Sequence, residues 1–220
     1  MLEGTKMLKL ILLIAGLAVA MVLLPVSGTT AFAAKVQAIA ITPDIKASVV
    51  KINAYFNSFQ TLRGELVQTS PRGRSAKGVF FIAKPGKLRF EVEPPTPYIM
   101  ASDGKWLTLT NKKMNKGDQF PLSKTPLRLL VSNQLDLLKE ADVVNFAQDG
   151  GITTIALSDK KGSIPGQIVL VFDETQDVLQ QWIIIDGKGQ RTTVALANIE
   201  KDVKINPKLF AVTINRENRN

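Results

Sequence analysis

The side chains able to do chemistry in this chain of 220 residues form a short inventory, because it contains neither cysteine nor histidine. Without Cys there is no thiol nucleophile, no disulfide and no lipid-attachment cysteine. Without His the usual general base near neutral pH and the commonest metal ligand are gone. A Ser-His-Asp hydrolase, a papain-like enzyme and an ordinary zinc site are excluded on that ground. An all-carboxylate metal site or a Ser–Lys pair would survive it, and the spacing signals neither. The remaining candidates are the carboxylates Asp103, Asp173, Glu174 and Asp186. All four fall in predicted turns, where a carboxylate usually serves turn geometry. The expectation is a protein that binds something hydrophobic, with no cofactor, no metal and no catalysis.

The elements that must position such a binding surface follow from periodicity. Thr42 is an N-cap and Pro43 suits a first helical turn. Ile45, Val49, Ile52, Phe56 and Phe59 then recur at one-face helical spacing, with Lys46, Lys51, Asn53 and Asn57 mostly on the other side. Five strand segments come next, at 62–69, 75–83, 87–93, 97–102 and 105–110. They are separated by turn signals such as Lys84-Pro85-Gly86 and Asp103-Gly104. In the third segment Leu88, Phe90 and Val92 alternate with Lys87, Arg89, Glu91 and Glu93, so one side of it is wet or lies near charge. A second helix is predicted from Thr125 as cap and Pro126 as first residue, through Leu127, Leu130, Val131, Leu135 and Leu138, with Asn133 able to kink it. Strands resume at 142–148, 152–158, 166–173, 178–185 and 190–199. A short turn at 207–210 and an edge pairing at 212–214 close the chain.

Ten or eleven strands joined by short connections must be antiparallel, and they are too many for a flat open sheet of ordinary size. The fold class is therefore α+β: an incomplete antiparallel β-barrel of about 11 strands, covered on its concave face by amphipathic lid helices. Such a groove has two states. The helices fill it with their own apolar side chains, or they lift and a ligand replaces them. Buried apolar area is kept in both, so the exchange is reversible. The plainer alternative is that both helices seal an ordinary core.

The first thirty-odd residues read as a cleavable signal peptide, residues 1–33. Lys6 and Lys9 precede an apolar run at 10–24, Pro25 and Gly28 break it, and Ala31-Phe32-Ala33 has the small-x-small cleavage pattern. The run falls short of the 17–25 or so residues that span a bilayer. The expected mature chain, 34–220, is a single domain exported to the bacterial periplasm, where an absence of thiols is no handicap.

Particular strings resemble the outer-membrane lipoprotein carrier proteins, the LolA family. Phe80-Phe81-Ile82-Ala83-Lys84-Pro85-Gly86-Lys87-Leu88-Arg89-Phe90-Glu91 is similar to that family's strand–turn–strand signature. Pro94-Pro95-Thr96-Pro97 with Ala101-Ser102-Asp103-Gly104-Lys105-Trp106 resembles its next hairpin. Pro121-Leu122-Ser123-Lys124-Thr125-Pro126-Leu127-Arg128-Leu129-Leu130 resembles its central lid. Leu179-Gln180-Gln181-Trp182 and Pro207-Lys208-Leu209-Phe210 resemble its closing strands and terminal turn. The similarity runs in order from about Ile45 to Val212.

The resemblance implies an eleven-stranded half-barrel with a helical lid. It implies a chaperone that takes acylated lipoproteins from an inner-membrane ABC-type lipoprotein-releasing complex and hands them to an outer-membrane acceptor lipoprotein, and that is expected to act as a monomer. By position, Leu62, Phe90, Leu127 and Leu130 would bind lipid, lining the cavity or its lid; the alternative for each is an ordinary core residue. The family commonly has Arg where this chain has Lys84, and there it ties the lid closed. Lys lacks the planar fork, so a Lys84 latch would be weaker or would use other donors such as Arg89. The plainer reading of Lys84 is a solvated turn lysine.

Three other classes share parts of this composition. The formal net charge of +9 could suit nucleic acid, but the lysines are scattered and the chain is exported. Transient attraction to anionic lipid or acidic partners is the better use of that charge, at about 1 kcal/mol per basic residue near the surface. A related periplasmic lipid or glycolipid binding or sensing protein is the alternative function. An enzyme acting on lipids is disfavoured by the missing His and Cys.

Overall fold

The computed structural model describes residues 37–94, 98–113 and 116–211. The signal peptide expected at 1–33 and the edge pairing expected at 212–214 lie outside the described residues.

The first helix, α1 (Pro43–Asn57), begins where its caps require: the Thr42 hydroxyl accepts the Ile45 N–H at 3.3 Å and Pro43 is the first helical residue. Eleven strands follow: β1 (Thr61–Thr69), β2 (Ser75–Ala83), β3 (Lys87–Val92), β4 (Tyr98–Asp103), β5 (Trp106–Asn111), β6 (Lys116–Pro121), β7 (Ala141–Asp149), β8 (Ile152–Asp159), β9 (Gln167–Asp173), β10 (Val178–Ile185) and β11 (Arg191–Lys201). They form one antiparallel sheet in the order β6-β5-β4-β3-β2-β1-β11-β10-β9-β8-β7. β1 pairs with β11 at its centre, so β6 and β7 are the two free edges. The chain between them, residues 122–140, must therefore pass from one edge of the sheet to the other.

The sheet is strongly curled. β3 and β10 are four strands apart in the order, which in a flat sheet means about 19 Å. Yet Phe90 on β3 and Trp182 on β10 have ring centroids 5.4 Å apart. Their rings meet across the concave side. Gly64 helps β1 bend there, since a Cβ would come within 2.7 Å of the Phe80 ring and 2.8 Å of the Ala197 carbonyl, beside a register shift in the β1–β11 ladder.

Two sequence expectations change. The predicted second helix is broken into a turn of 3₁₀ helix at Leu122–Lys124, a 3₁₀ stretch at Pro126–Val131 and a single turn of α-helix, α2 (Leu137–Glu140). Thr125 does not cap it: its hydroxyl donates to the Leu122 carbonyl at 2.9 Å. Leu127, Leu129, Leu130 and Val131 are all buried, so this run is enclosed on more than one side and does not show one stripe to the sheet. Ser132 then adopts an extended conformation that ends it. The second change is β6, which carries Gly117, Asp118 and Pro121 and no apolar alternation. It pairs only with β5, and a polar, Pro-ended edge strand resists pairing with other chains.

Candidate functional site

The concave face is the apolar surface expected, and in this structure it is full. Ile45, Val49, Ile52 and Phe56 of α1 join Leu127, Leu130, Val131, Leu135 and Leu137 of the central segment in one cluster with the inward side chains of the sheet. Leu62 (β1), Phe90 (β3), Leu127 and Leu130 all belong to that cluster and are all buried, so the structure brings the four together. The groove is closed, filled by the protein's own lid side chains.

The cover is incomplete toward the β6 edge. Leu107 is buried in the cluster, and Phe120 lies opposite it across the β5–β6 ladder, on the same face. Phe120 is nevertheless 48% exposed, and Leu109, two residues along β5 on that face, is 36% exposed. Apolar groove surface therefore continues past the lid into solvent.

Lys84 sits in the turn between β2 and β3, preceding a cis Pro85. Its ammonium donates to the Phe56 carbonyl in the last turn of α1 and stands 4.0 Å from the centre of the Phe59 ring. Burial pushes its pKa down to about 8; Asp202 opposes that and Lys201 adds to it. Lys84 thus reaches α1. The central segment is held at this turn by the neighbouring backbone, where the Gly86 N–H donates to the Val131 carbonyl at 2.8 Å. Arg89 points to the convex side, where it bonds Glu91 at 2.6 Å and the Leu209 carbonyl at 2.8 Å, so it does not reach the lid.

Several positioning residues were not singled out from the sequence. Asn57 of α1 pairs its amide with both backbone groups of Leu135, at 2.7 and 2.9 Å, and Asn53 accepts the Leu137 N–H at 3.1 Å. Their i, i+4 spacing puts both on one face of α1, which is the only signal available in the chain. Arg128 bridges the central segment to the sheet: it donates to the Glu140 carboxylate, to the Glu140 carbonyl at 2.9 Å, and to Asp159 at 3.5 Å. A narrow cleft at this seam is lined by Pro126, Arg128, Leu129, Leu157, Asp159 and Ile168.

Glu174, which the sequence offered only as a turn carboxylate, is a further positioning residue. It accepts from Ser48 at 2.6 Å, Lys51 at 2.8 Å, Gln148 at 3.0 Å and the Thr153 hydroxyl, and so ties α1 to the turn between β9 and β10. Burial raises its pKa, but the bonds from Lys51, Ser48 and Thr153 outweigh that and hold it at about 2. The other turn carboxylates face their own backbone: Asp103 accepts from Lys105 and Trp106, Asp173 from Thr175 and Gln176, and Asp186 from Lys188 and Gln190. Among the described residues, no three Asp or Glu come together to hold a metal ion.

A curled antiparallel sheet whose apolar concave face is covered by a segment joining its two free edges is an open half-barrel. The family profile described as outer membrane lipoprotein carrier protein LolA matches residues 57–213, and the chain belongs to that family. The outer-membrane lipoprotein carrier protein of Pseudomonas paraeruginosa is 24% identical over 182 residues, covering 78% of this chain and 86% of that protein. The protein of the same description from Chromohalobacter salexigens is 29% identical over 148 residues, covering 65% of this chain and 69% of its own. Among solved structures, a LolA superfamily protein from Nitrosomonas europaea aligns with TM-score 0.44 at 8% identity, covering 79% of this chain and 99% of that one.

Proposed function

We propose that this protein is a periplasmic chaperone that shields the acyl chains of lipoproteins released from the inner membrane and passes them to an outer-membrane acceptor lipoprotein. It takes its cargo from an ABC-type lipoprotein-releasing complex and catalyses no reaction. The observation that carries the reading is the central segment 122–140. It joins the two free edges of the sheet, it is built of short helical pieces, and it fills the groove with leucines. Each buried CH₂ of an acyl chain gains about 0.8 kcal/mol, so several chains entering an open cavity would be held too tightly to leave. Here the leucines that cargo displaces fall back into the groove when cargo departs, and that return offsets the cost of release.

In this reading Leu62 and Phe90 contact the chains from the sheet, and Leu127 and Leu130 contact them from the lid. The uncovered Leu109 and Phe120 mark where chains enter. Lys84 holds α1 in the closed, empty form.

The test is incubation of the purified protein with spheroplasts that carry an active transporter. Acylated lipoproteins recovered in soluble complex with it support the reading. A folded protein that releases none overturns it. If the protein instead carries phospholipid or glycolipid and releases no lipoprotein, it is a lipid-binding or sensing relative on the same fold.

A further inference from the structure

Eight of the basic residues that look scattered along the chain are gathered at one end of the sheet by its topology. Because every strand is antiparallel to its neighbour, the turns β1–β2, β3–β4, β5–β6, β8–β9 and β10–β11 share one end. On one half of that end stand Arg72 and Arg74 in the first turn and Lys112 and Lys113 in the third, all exposed. On the other half stand Lys160 and Lys161, then Lys188 and Arg191, also exposed. The described acidic residues in or beside these turns are Glu91, Glu93, Glu140, Asp142, Asp159 and Asp186. Glu91 pairs with Lys112 at 3.1 Å, Glu140 pairs with Arg128, and Asp159 and Asp186 are occupied by N–H groups of their own turns. The opposite end carries Asp103, Asp149, Asp173, Glu174, Asp177 and Asp202 against Lys84, Lys87, Lys105, Lys124, Lys201 and Lys204, an even balance.

The helix α1 covers that opposite end, where it meets Glu174, Lys84 and Lys201. The basic end is thus the one α1 leaves uncovered, and Tyr98 and Met100, the groove residues near it, are only half-buried. We propose that this rim docks the protein, with or without cargo, on the surface of an anionic phospholipid bilayer. Paired cations spread over four turns match a plane of diffuse negative charge better than a single acidic side chain. Among the described residues, no large exposed apolar side chain lies in these turns. The contact proposed is electrostatic, reversible and screened by salt.

The experiment is co-sedimentation of the mature chain, without cargo, with vesicles of phosphatidylcholine alone or phosphatidylcholine mixed with phosphatidylglycerol. Binding is expected only to the anionic vesicles and is lost in high salt. A variant with Arg72→Gln, Arg74→Gln, Lys113→Gln and Lys188→Gln is expected to lose affinity at about fivefold per residue. A control with Lys46→Gln, Lys105→Gln, Lys124→Gln and Lys204→Gln removes the same charge from the α1 end and is expected to bind nearly as the parent does. Circular dichroism confirms that both fold. Equal losses in the two variants mean that only net charge matters, and overturn the proposal. So does equal binding to neutral vesicles, or none to either kind. A rim variant that binds vesicles normally but no longer exchanges cargo would mean that the rim reads an acidic protein, which also overturns it. Cargo plays no part in the vesicle assay, so its failure is separable from failure of the carrier reading.

Discussion

The two covers of the groove bury similar side chains but are built differently. α1 is a continuous, capped helix whose polar residues are tied to the sheet at both ends, through Ser48 and Lys51 to Glu174 and through the Phe56 carbonyl to Lys84. The central segment is three short helical pieces with a five-residue break, Ser132–Asp136, inside it. Its ties are the Gly86 N–H, the Asn53 and Asn57 side chains, and Arg128. A short helical piece gains little from its own hydrogen bonds and depends on what it packs against. In the carrier reading proposed above, the difference makes α1 the better-anchored cover and the central segment the one expected to open first.

The largest effect expected is at the buried apolar residues. Ile52→Ala on α1, where the side chain is fully buried, lowers global stability by about 2–5 kcal/mol in denaturant unfolding. Leu130→Ala removes as much packing from the central segment, but its global cost is capped at the free energy of opening that segment, because the open form then becomes the ground state. Its signature is faster amide exchange across residues 122–140 with the sheet still protected. Equal global losses with no local change in exchange would make the two covers one cooperative unit and dissolve the distinction.

Next in size is Asn57→Ala. It leaves the Leu135 N–H and C=O without partners inside the closed form, at a cost of about 1–3 kcal/mol. Exchange at Leu135 and Leu137 should rise tenfold or more while α1 itself stays protected. Protection lost along the whole of α1 would show that Asn57 anchors the helix and not the lid.

These contrasts were partly legible in the sequence. The one-face spacing from Ile45 to Phe56 and the Thr42–Pro43 start were enough to place α1, because the helix obeys its local signals; Phe59, expected on the same face, falls past the Ser58 cap and reaches the core from outside the helix. The central run misled for the opposite reason: Leu127, Leu129, Leu130 and Val131 are all buried, so a periodicity reading picks out one helical stripe where tertiary contacts surround the chain. β6 was missed because an edge strand needs no apolar alternation. Glu174 read as a turn carboxylate like Asp173 beside it, and only its partners Ser48 and Lys51, more than a hundred residues away, distinguish it. Such contacts depend on topology and leave no mark in local spacing.

Acid probes the Glu174 tie. Its carboxyl titrates near 2 in the fold against an ordinary 4.5, so its stabilisation is complete above about pH 4.5 and is lost as pH falls toward 2. The loss expected is about 1–2 kcal/mol, given partial solvent screening. Comparing wild type with Glu174→Gln across that window isolates it, since the variant lacks this proton uptake. Parallel curves would remove Glu174 as an anchor of α1.

Alkali probes the other end of α1 with the opposite sign, and the effect is the smallest. Lys84 titrates near 8 in the fold and near 10.5 when unfolded. Between those values the unfolded chain holds the extra proton, so this group makes stability rise with pH. Its desolvation cost is fully present below about pH 8 and gone above 10.5. About 1 kcal/mol is expected for so half-exposed a group. Lys84→Leu should flatten the rise when the two proteins are compared from pH 7 to 10. The same variant separates the roles of the covers. If Lys84 stabilises the closed empty groove through α1, Lys84→Leu loads cargo but passes it on poorly, because the refilled state lacks its tie to the Phe56 carbonyl. If transfer is unchanged while the pH dependence disappears, α1 is fixed without Lys84, and all of the moving falls to the central segment.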